Sequence, residues 1–271
     1  MQEITAAAVQ MNSNDDLRAN LCQAGRWVAE AAARGARLVL LPENFAFMGR
    51  TDTDKLAIME DEGVGPIQDF LAETAYRHNL WLVGGSVPLS CEDPGKVRAA
   101  CLIYSPSGQR YYRYDKIHLF DVDLPDSHES YRESDTIASG QPLGLVNTPF
   151  GKVGIAICYD IRFPEYLRRL SEQGMEILLV PAAFTATTGT AHWEILLRAR
   201  AIENQCYVVA ADQTGHHPGD RHTYGHSMII DPWGKVLDRL GEEPGVCCAR
   251  LDPDHLERVR RAFPVLHHRR F

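Results

Sequence analysis

The chain has 271 residues, 45% of them apolar and 24% charged, with a formal net charge of −8 at pH 7. A chain of this length can bury a sizeable core, and its acidic balance argues against a general nucleic-acid binder, which shows a basic surplus. No apolar run approaches the ~18 residues of a membrane span, and Met1-Gln-Glu-Ile-Thr lacks the basic start of a signal peptide.

In chain order, Ile4 to Met11 reads as a buried strand. Asn14-Asp15-Asp16 caps a helix whose apolar positions Leu17, Leu21, Ala24, Trp27, Val28 and Ala31 recur at helical spacing, and Gly35 closes it. Arg37 to Pro42 is a continuous apolar strand, followed at once by Glu43. A helix from about Pro66 to His78 leads to a strand over Leu80–Val87. Val97–Ser105 and Gln109–Asp115 are strands joined at Pro106-Ser-Gly108, a hairpin signal, and Lys116 ends the second. Residues 121–150 open with a polar, acid-rich run and show no clear periodicity; a connection that long is functional or disordered.

Gly151 to Cys158 then runs as a strand from a turn glycine to a thiol, and a helix follows over Phe163–Gln173. Strand Glu176–Pro181, helix Ala191–Asn204 and strand Cys206–Ala211 come next. Strands around His226–Ile230 and Lys235–Leu237 join at Asp231-Pro-Trp-Gly234, and strand Val246–Leu251 and helix Pro253–Ala262 complete the chain. Strands and helices alternate with no composition break, so one α/β domain over residues 1–271 is expected. The basic residues Arg258, Arg260, Arg261, Arg269 and Arg270 read as a solvated face or a subunit contact. The seven cysteines are scattered and odd in number, which suits free thiols in a reducing compartment and predicts a cytoplasmic protein. No Cys-x-x-Cys or His-Glu-x-x-His spacing is present, and neither a metal nor a cofactor is expected.

Glu43, Lys116 and Cys158 each directly follow a strand where the chain turns. Alone, each has a plain explanation: a cap, a solvated amine, a small buried hydrophobe. Together they match a need. A thiol with a pKa of about 8.5 is mostly protonated at neutral pH and requires a base to attack. A carboxylate such as Glu43 takes that proton and returns one to a leaving amine. Lys116 and the backbone N–H of Tyr159 then stabilise the oxyanion. Helix-opening amides after Cys158 are expected to favour a thiolate. A Cys–His pair with His118 is the rival within this class. A redox thiol resolved by Cys206 or Cys101, and a binding protein on a degenerate scaffold, are the readings of other classes.

Leu41-Pro-Glu43-Asn-Phe, Tyr114-Asp-Lys116-Ile-His-Leu-Phe-Asp and Ile157-Cys158-Tyr-Asp-Ile-Arg-Phe-Pro-Glu resemble, in order, the three catalytic motifs of the nitrilase superfamily of carbon–nitrogen hydrolases. The resemblance implies a four-layer α-β-β-α sandwich, pairing of subunits through helices into a homodimer, and roles for Glu43 as base and acid, Lys116 as stabiliser of the tetrahedral intermediate and Cys158 as nucleophile. It also implies a second glutamate after the lysine. Tyr131-Arg-Glu133-Ser-Asp fits that pattern, so Glu133 is chosen over Glu129. The stretches Ala183–Gly189, Ala191–Asn204 and Tyr224-Gly-His-Ser-Met228 are most similar to the deaminated glutathione amidases of the Nit branch. This implies hydrolysis of a small anionic 2-oxo acid amide to 2-oxoglutarate and cysteinylglycine, through a thioester. The ω-amidases, acting on 2-oxoglutaramate and 2-oxosuccinamate, are the alternative. Arg162, Arg198 and Arg200 are the nearest candidates for the substrate carboxylates, with structural ion pairs as the competing role.

Overall fold

Strand β1 (Ile4–Gln10) precedes helix α1 (Leu17–Ala33), which Asp16 caps by accepting from Ala19 N at 3.0 Å. A computed structural model describes residues 1–124, 130–141 and 143–270. After α1 come β2 (Leu38–Leu40), α2 (Pro66–His78), β3 (Trp81–Ser90), β4 (Val97–Tyr104) and β5 (Arg110–Asp115). Short strands β6 (Asp121–Asp123) and β7 (Ser130–Arg132) pair with each other, and β8 (Leu145–Thr148) leads into β9 (Gly151–Ile155). The second half runs through α3 (Pro164–Glu172), β10 (Ile177–Ala182), α4 (Ala186–Asn204) and β11 (Tyr207–Asp212). A hairpin of β12 (Thr214–His216) and β13 (His222–Tyr224) follows, then β14 (Met228–Ile230), β15 (Val236–Arg239), β16 (Gly245–Leu251) and α5 (Pro253–Ala262).

Two six-stranded sheets result, ordered β16-β1-β2-β3-β4-β5 and β15-β14-β11-β10-β9-β8. The apolar runs of the first sheet divide by parity, as side chains alternate along a strand. Ala6, Ala8, Leu38, Leu40 and Val83 join Val153, Ile155 and Leu178 of the second sheet in one core. Ala7, Val9, Val39, Leu41 and Leu82 pack instead with Val28 of α1 and Leu71 of α2. Tyr166, Leu170, Trp193 and Leu197 of α3 and α4 cover the far side of the second sheet. The architecture is the expected α-β-β-α sandwich.

Direction places the site. β1, β2 and β3 are parallel, and the antiparallel steps to β4 and β5 turn β5 back to their direction. In the other sheet β9, β10 and β11 are parallel. A parallel bridge from Met11 to Gln213 joins the ends of β1 and β11. The carboxyl ends of both parallel sets therefore meet along one edge.

Several boundaries differ from those read in the sequence. α4 begins five residues early because Thr185 caps it, although Ala186-Thr-Thr-Gly189 is weak helix former. The segment after Lys116 is not structureless: it holds β6, β7, β8 and a 3-10 turn at Glu133–Asp135. These strands are three or four residues long, too short for periodicity to show. Among the described residues, no helix is long and apolar enough to cross a membrane.

Candidate active site

Glu43 lies three residues past β2, and Lys116 directly past β5. Lys116 Nζ donates to Glu43 Oε1 at 2.9 Å and to both oxygens of Glu133, at 2.8 and 2.9 Å. The second Glu43 oxygen accepts from Ala183 N at 3.0 Å, just past β10, and Glu133 Oε2 accepts from Phe120 N at 2.7 Å. The Lys116 side chain is 1% exposed. Burial alone would depress its ammonium, but the Glu133 and Glu43 carboxylates outweigh burial and hold it well above the usual lysine range. Glu133 answers in kind: burial pushes its carboxyl up, and Lys116 brings it below the ordinary value.

Cys158 follows β9 after two further residues and opens a 3-10 turn, Cys158–Arg162, with a left-handed φ of 47°. A side chain at such an angle is held there by its surroundings, and here the buried Asp160 does much of the holding. Its Oδ2 accepts from Ile157 N and from the Tyr114 hydroxyl, both at 2.8 Å. Its Oδ1 accepts from His118 N at 3.0 Å and meets His118 Nδ1 at 2.7 Å. One carboxylate thus ties the turn bearing the thiol to the segment bearing Lys116. Arg200 supports the same turn from α4, donating to Ile161 O at 2.8 and 2.6 Å.

These contacts decide between the readings of Cys158. His118 is spent on Asp160, its ring stacks on Phe163 at 3.7 Å, and it lies outside the pocket that Cys158 lines. His118 therefore forms no pair with Cys158. Cys101 and Cys206 are buried away from that pocket, so no resolving cysteine stands at hand among the described residues. The expected thiolate-favouring helix start is also corrected. α3 begins only at Pro164, and burial together with the Glu43 carboxylate raises the thiol well above its ordinary pKa. Lys116 and the Ala183 amide oppose this more weakly. The resting thiol keeps its proton, which makes a base obligatory.

The pocket is lined by Glu43, Lys116, Glu133, Cys158 and Tyr159, all singled out from sequence. Glu129 lies outside the described residues. Of the three arginines, only Arg162 lines the pocket. Arg198 donates to Gly234 O at 2.9 Å and faces Glu194, whereas Arg200 pairs with Glu203 and takes the structural role above. The Tyr159 N–H finds no intramolecular acceptor among the described residues.

Sequence reasoning missed Lys55, Asp52 and Arg221 in the lining, and the Ala183 amide. Lys55 and Asp52 sit in a stretch without periodicity, and Arg221 ends a polar loop. Only Asp160 carried a signal, as the acid two residues beyond a nucleophile candidate.

Comparison with known proteins adds to this geometry. The carbon–nitrogen hydrolase family pattern matches residues 5–261. The deaminated glutathione amidase of Synechocystis sp. is 46% identical over 274 residues, covering 100% of both chains. Omega-amidase NIT2 of Danio rerio is 38% identical over 270 residues, covering 100% of this chain and 96% of that one. The crystal structure of the NitFhit protein of Caenorhabditis elegans superposes with a TM-score of 0.89 at 38% identity, covering 99% of this chain and 65% of that one.

Proposed function

Since this chain belongs to the carbon–nitrogen hydrolase family, we propose that it is a cysteine-dependent amidase whose substrate is deaminated glutathione. The observation that carries the reading is the buried Glu43–Lys116–Glu133 triplet beside a thiol that keeps its proton. Glu43 takes the Cys158 proton as sulfur attacks the amide carbon. The oxyanion is met by the Tyr159 N–H and by Lys116. Three acceptor oxygens surround the Lys116 ammonium, and two belong to Glu133. Giving up one of those two frees an N–H for the oxyanion while both ion pairs stay in place. Glu43 returns the proton to the departing amine, leaving a thioester on Cys158. Water, deprotonated by Glu43, attacks the thioester carbon; the acyl group leaves as a carboxylic acid and the thiol regains its proton.

Intact-mass measurement on quenched reactions tests this directly, with a thioester adduct expected on the unsubstituted enzyme and neither adduct nor turnover in Cys158→Ala. Full activity in Cys158→Ala refutes it. The likeness to Omega-amidase NIT2 favours a second reading, an ω-amidase acting on 2-oxoglutaramate. Comparing kcat/KM for the two amides on one preparation separates them.

The proposal extends to one domain over residues 1–271, located in the cytoplasm and acting as a homodimer. An apolar strip supports the dimer. Ile195 and Ile202 of α4 are 71% and 47% exposed, and Trp233 and Phe263 lie edge to face at 5.9 Å. Sedimentation showing a monomer at all concentrations would remove it.

A further inference from the structure

The pocket holds more positive charge than the reaction above employs: four cations line it against three carboxylates. Lys116 is occupied by Glu43 and Glu133. Arg162 belongs to the turn of Cys158, its guanidinium 4.8 Å from the centre of the Phe184 ring and in electrostatic contact with the thiol. Lys55 and Arg221 form a separate pair of neighbours. They come from the 3-10 helix Asp54–Ile58 and from the connection between β12 and β13. Arg221 Nη2 is 3.1 Å from Asp52 Oδ1, and its guanidinium lies 5.4 Å from the centre of the Tyr131 ring. The Lys55 ammonium makes no hydrogen bond or ion pair with any described residue. The Asp52 and Glu133 charges act on it, but Asp52 is paired with Arg221 and Glu133 is committed to Lys116 and the Phe120 amide. A cation drawn into a cleft without a counter-ion is costly unless a ligand supplies one.

We propose that Lys55 and Arg221 form a carboxylate subsite for the amine portion of the substrate, so that the pocket selects amides bearing a carboxylate on each side of the scissile bond. This rests on the amidase reading. Arg162 suits the acyl carboxylate because it shares the turn of the thiol that carries the acyl group. Lys55 and Arg221 line the pocket from segments that are not part of that turn. A primary ω-amide releases ammonia and has nothing to place in the subsite. The same two cations therefore separate the two substrate classes.

The test measures kcat/KM for deaminated glutathione, for its analogue with the glycine carboxylate converted to carboxamide, and for 2-oxoglutaramate. Loss of a charge-assisted contact predicts a fall of about ten- to hundredfold for deaminated glutathione in Lys55→Met or Arg221→Gln, mainly through KM. The fall on 2-oxoglutaramate is to be much smaller, whereas Arg162→Gln is to lower both substrates alike. The unsubstituted enzyme is to disfavour the carboxamide analogue by a similar factor, and Lys55→Met is not. This substrate-side comparison stands even where a variant folds poorly. Equal losses on both amides, or an unsubstituted enzyme indifferent to the terminal carboxylate, overturn the subsite. An unsubstituted enzyme that hydrolyses neither amide overturns the amidase reading itself.

Discussion

Removing both carboxylates that flank Lys116 should cost more stability than the two single losses combined. In Glu43→Gln the ammonium keeps Glu133, and in Glu133→Gln it keeps Glu43. Each single change forfeits one charge-assisted interaction, about 1.5–3 kcal/mol. In the double variant an ammonium only 1% exposed is left without a counter-ion. Stripping a buried charge of its last partner adds a desolvation penalty that neither single change incurs, so the double loss should exceed the sum of the singles by more than the ~0.5 kcal/mol within which independent sites add. Adding Lys116→Met removes the stranded charge and should restore at least that excess. Urea unfolding followed by circular dichroism, run on the parent, both singles, the double and the triple, measures it. Additivity within about 0.5 kcal/mol, or no recovery with Lys116→Met, would show that the triplet is not the coupled unit described here.

A Cβ at Gly85 would lie 1.9 Å from Pro42 O, beside Glu43, and Gly85 has a φ of +30°. Gly85→Ala should therefore displace Glu43 and cost at least tenfold in kcat, while Gly35→Ala, with φ +85° and open space around it, costs only about 1–2 kcal/mol of backbone strain. Equal thermal shifts and full activity in both would contradict this. Burial lowers His217 from its ordinary 6.5 to about 4, and the ring is held by Ser13 O and Thr223 Oγ1, each at 2.7 Å. The unfolded chain then binds the extra proton between those values, so stability falls as pH drops from 6.5 toward about 4, by roughly 3 kcal/mol. His217→Gln should flatten that slope in urea titrations, and an unchanged slope would exclude His217 as its source. Burial raises the Asp212 carboxyl well above 3.8, and its Oδ2 has no hydrogen-bond partner among the described residues. Its contribution is complete below 3.8 and declines as pH rises toward the folded value. Asp212→Asn should consequently be at least as stable as the parent at pH 8; a loss above about 1 kcal/mol there would refute the neutral-acid assignment.

The element order was legible because local rules govern it. Continuous apolar runs between turn residues give buried strands, and Asp16 caps α1 where a helix start was read. The positions of Glu43, Lys116 and Cys158 past strands were legible for the same reason. Short pieces were not: β6, β7, β12 and β13 are three residues each, too short for an alternating pattern to show.

By itself, then, the sequence determined which segments form strands and helices and which chemically capable residues stand where strands stop. Apolar periodicity and capping act over a few residues, and they are written where they act. Only the tertiary structure decided what those residues do to one another. It brought Lys116 within 2.9 Å of Glu43 across 73 positions, and committed His118 to Asp160 instead of the thiol. Among the described residues it left Lys55 without an ion-pair partner, near Arg221, and it raised the Cys158 thiol so that it keeps its proton. Desolvation and Coulomb interaction depend on distance in space and on exclusion of water, and both arise only when the two sheets close on each other.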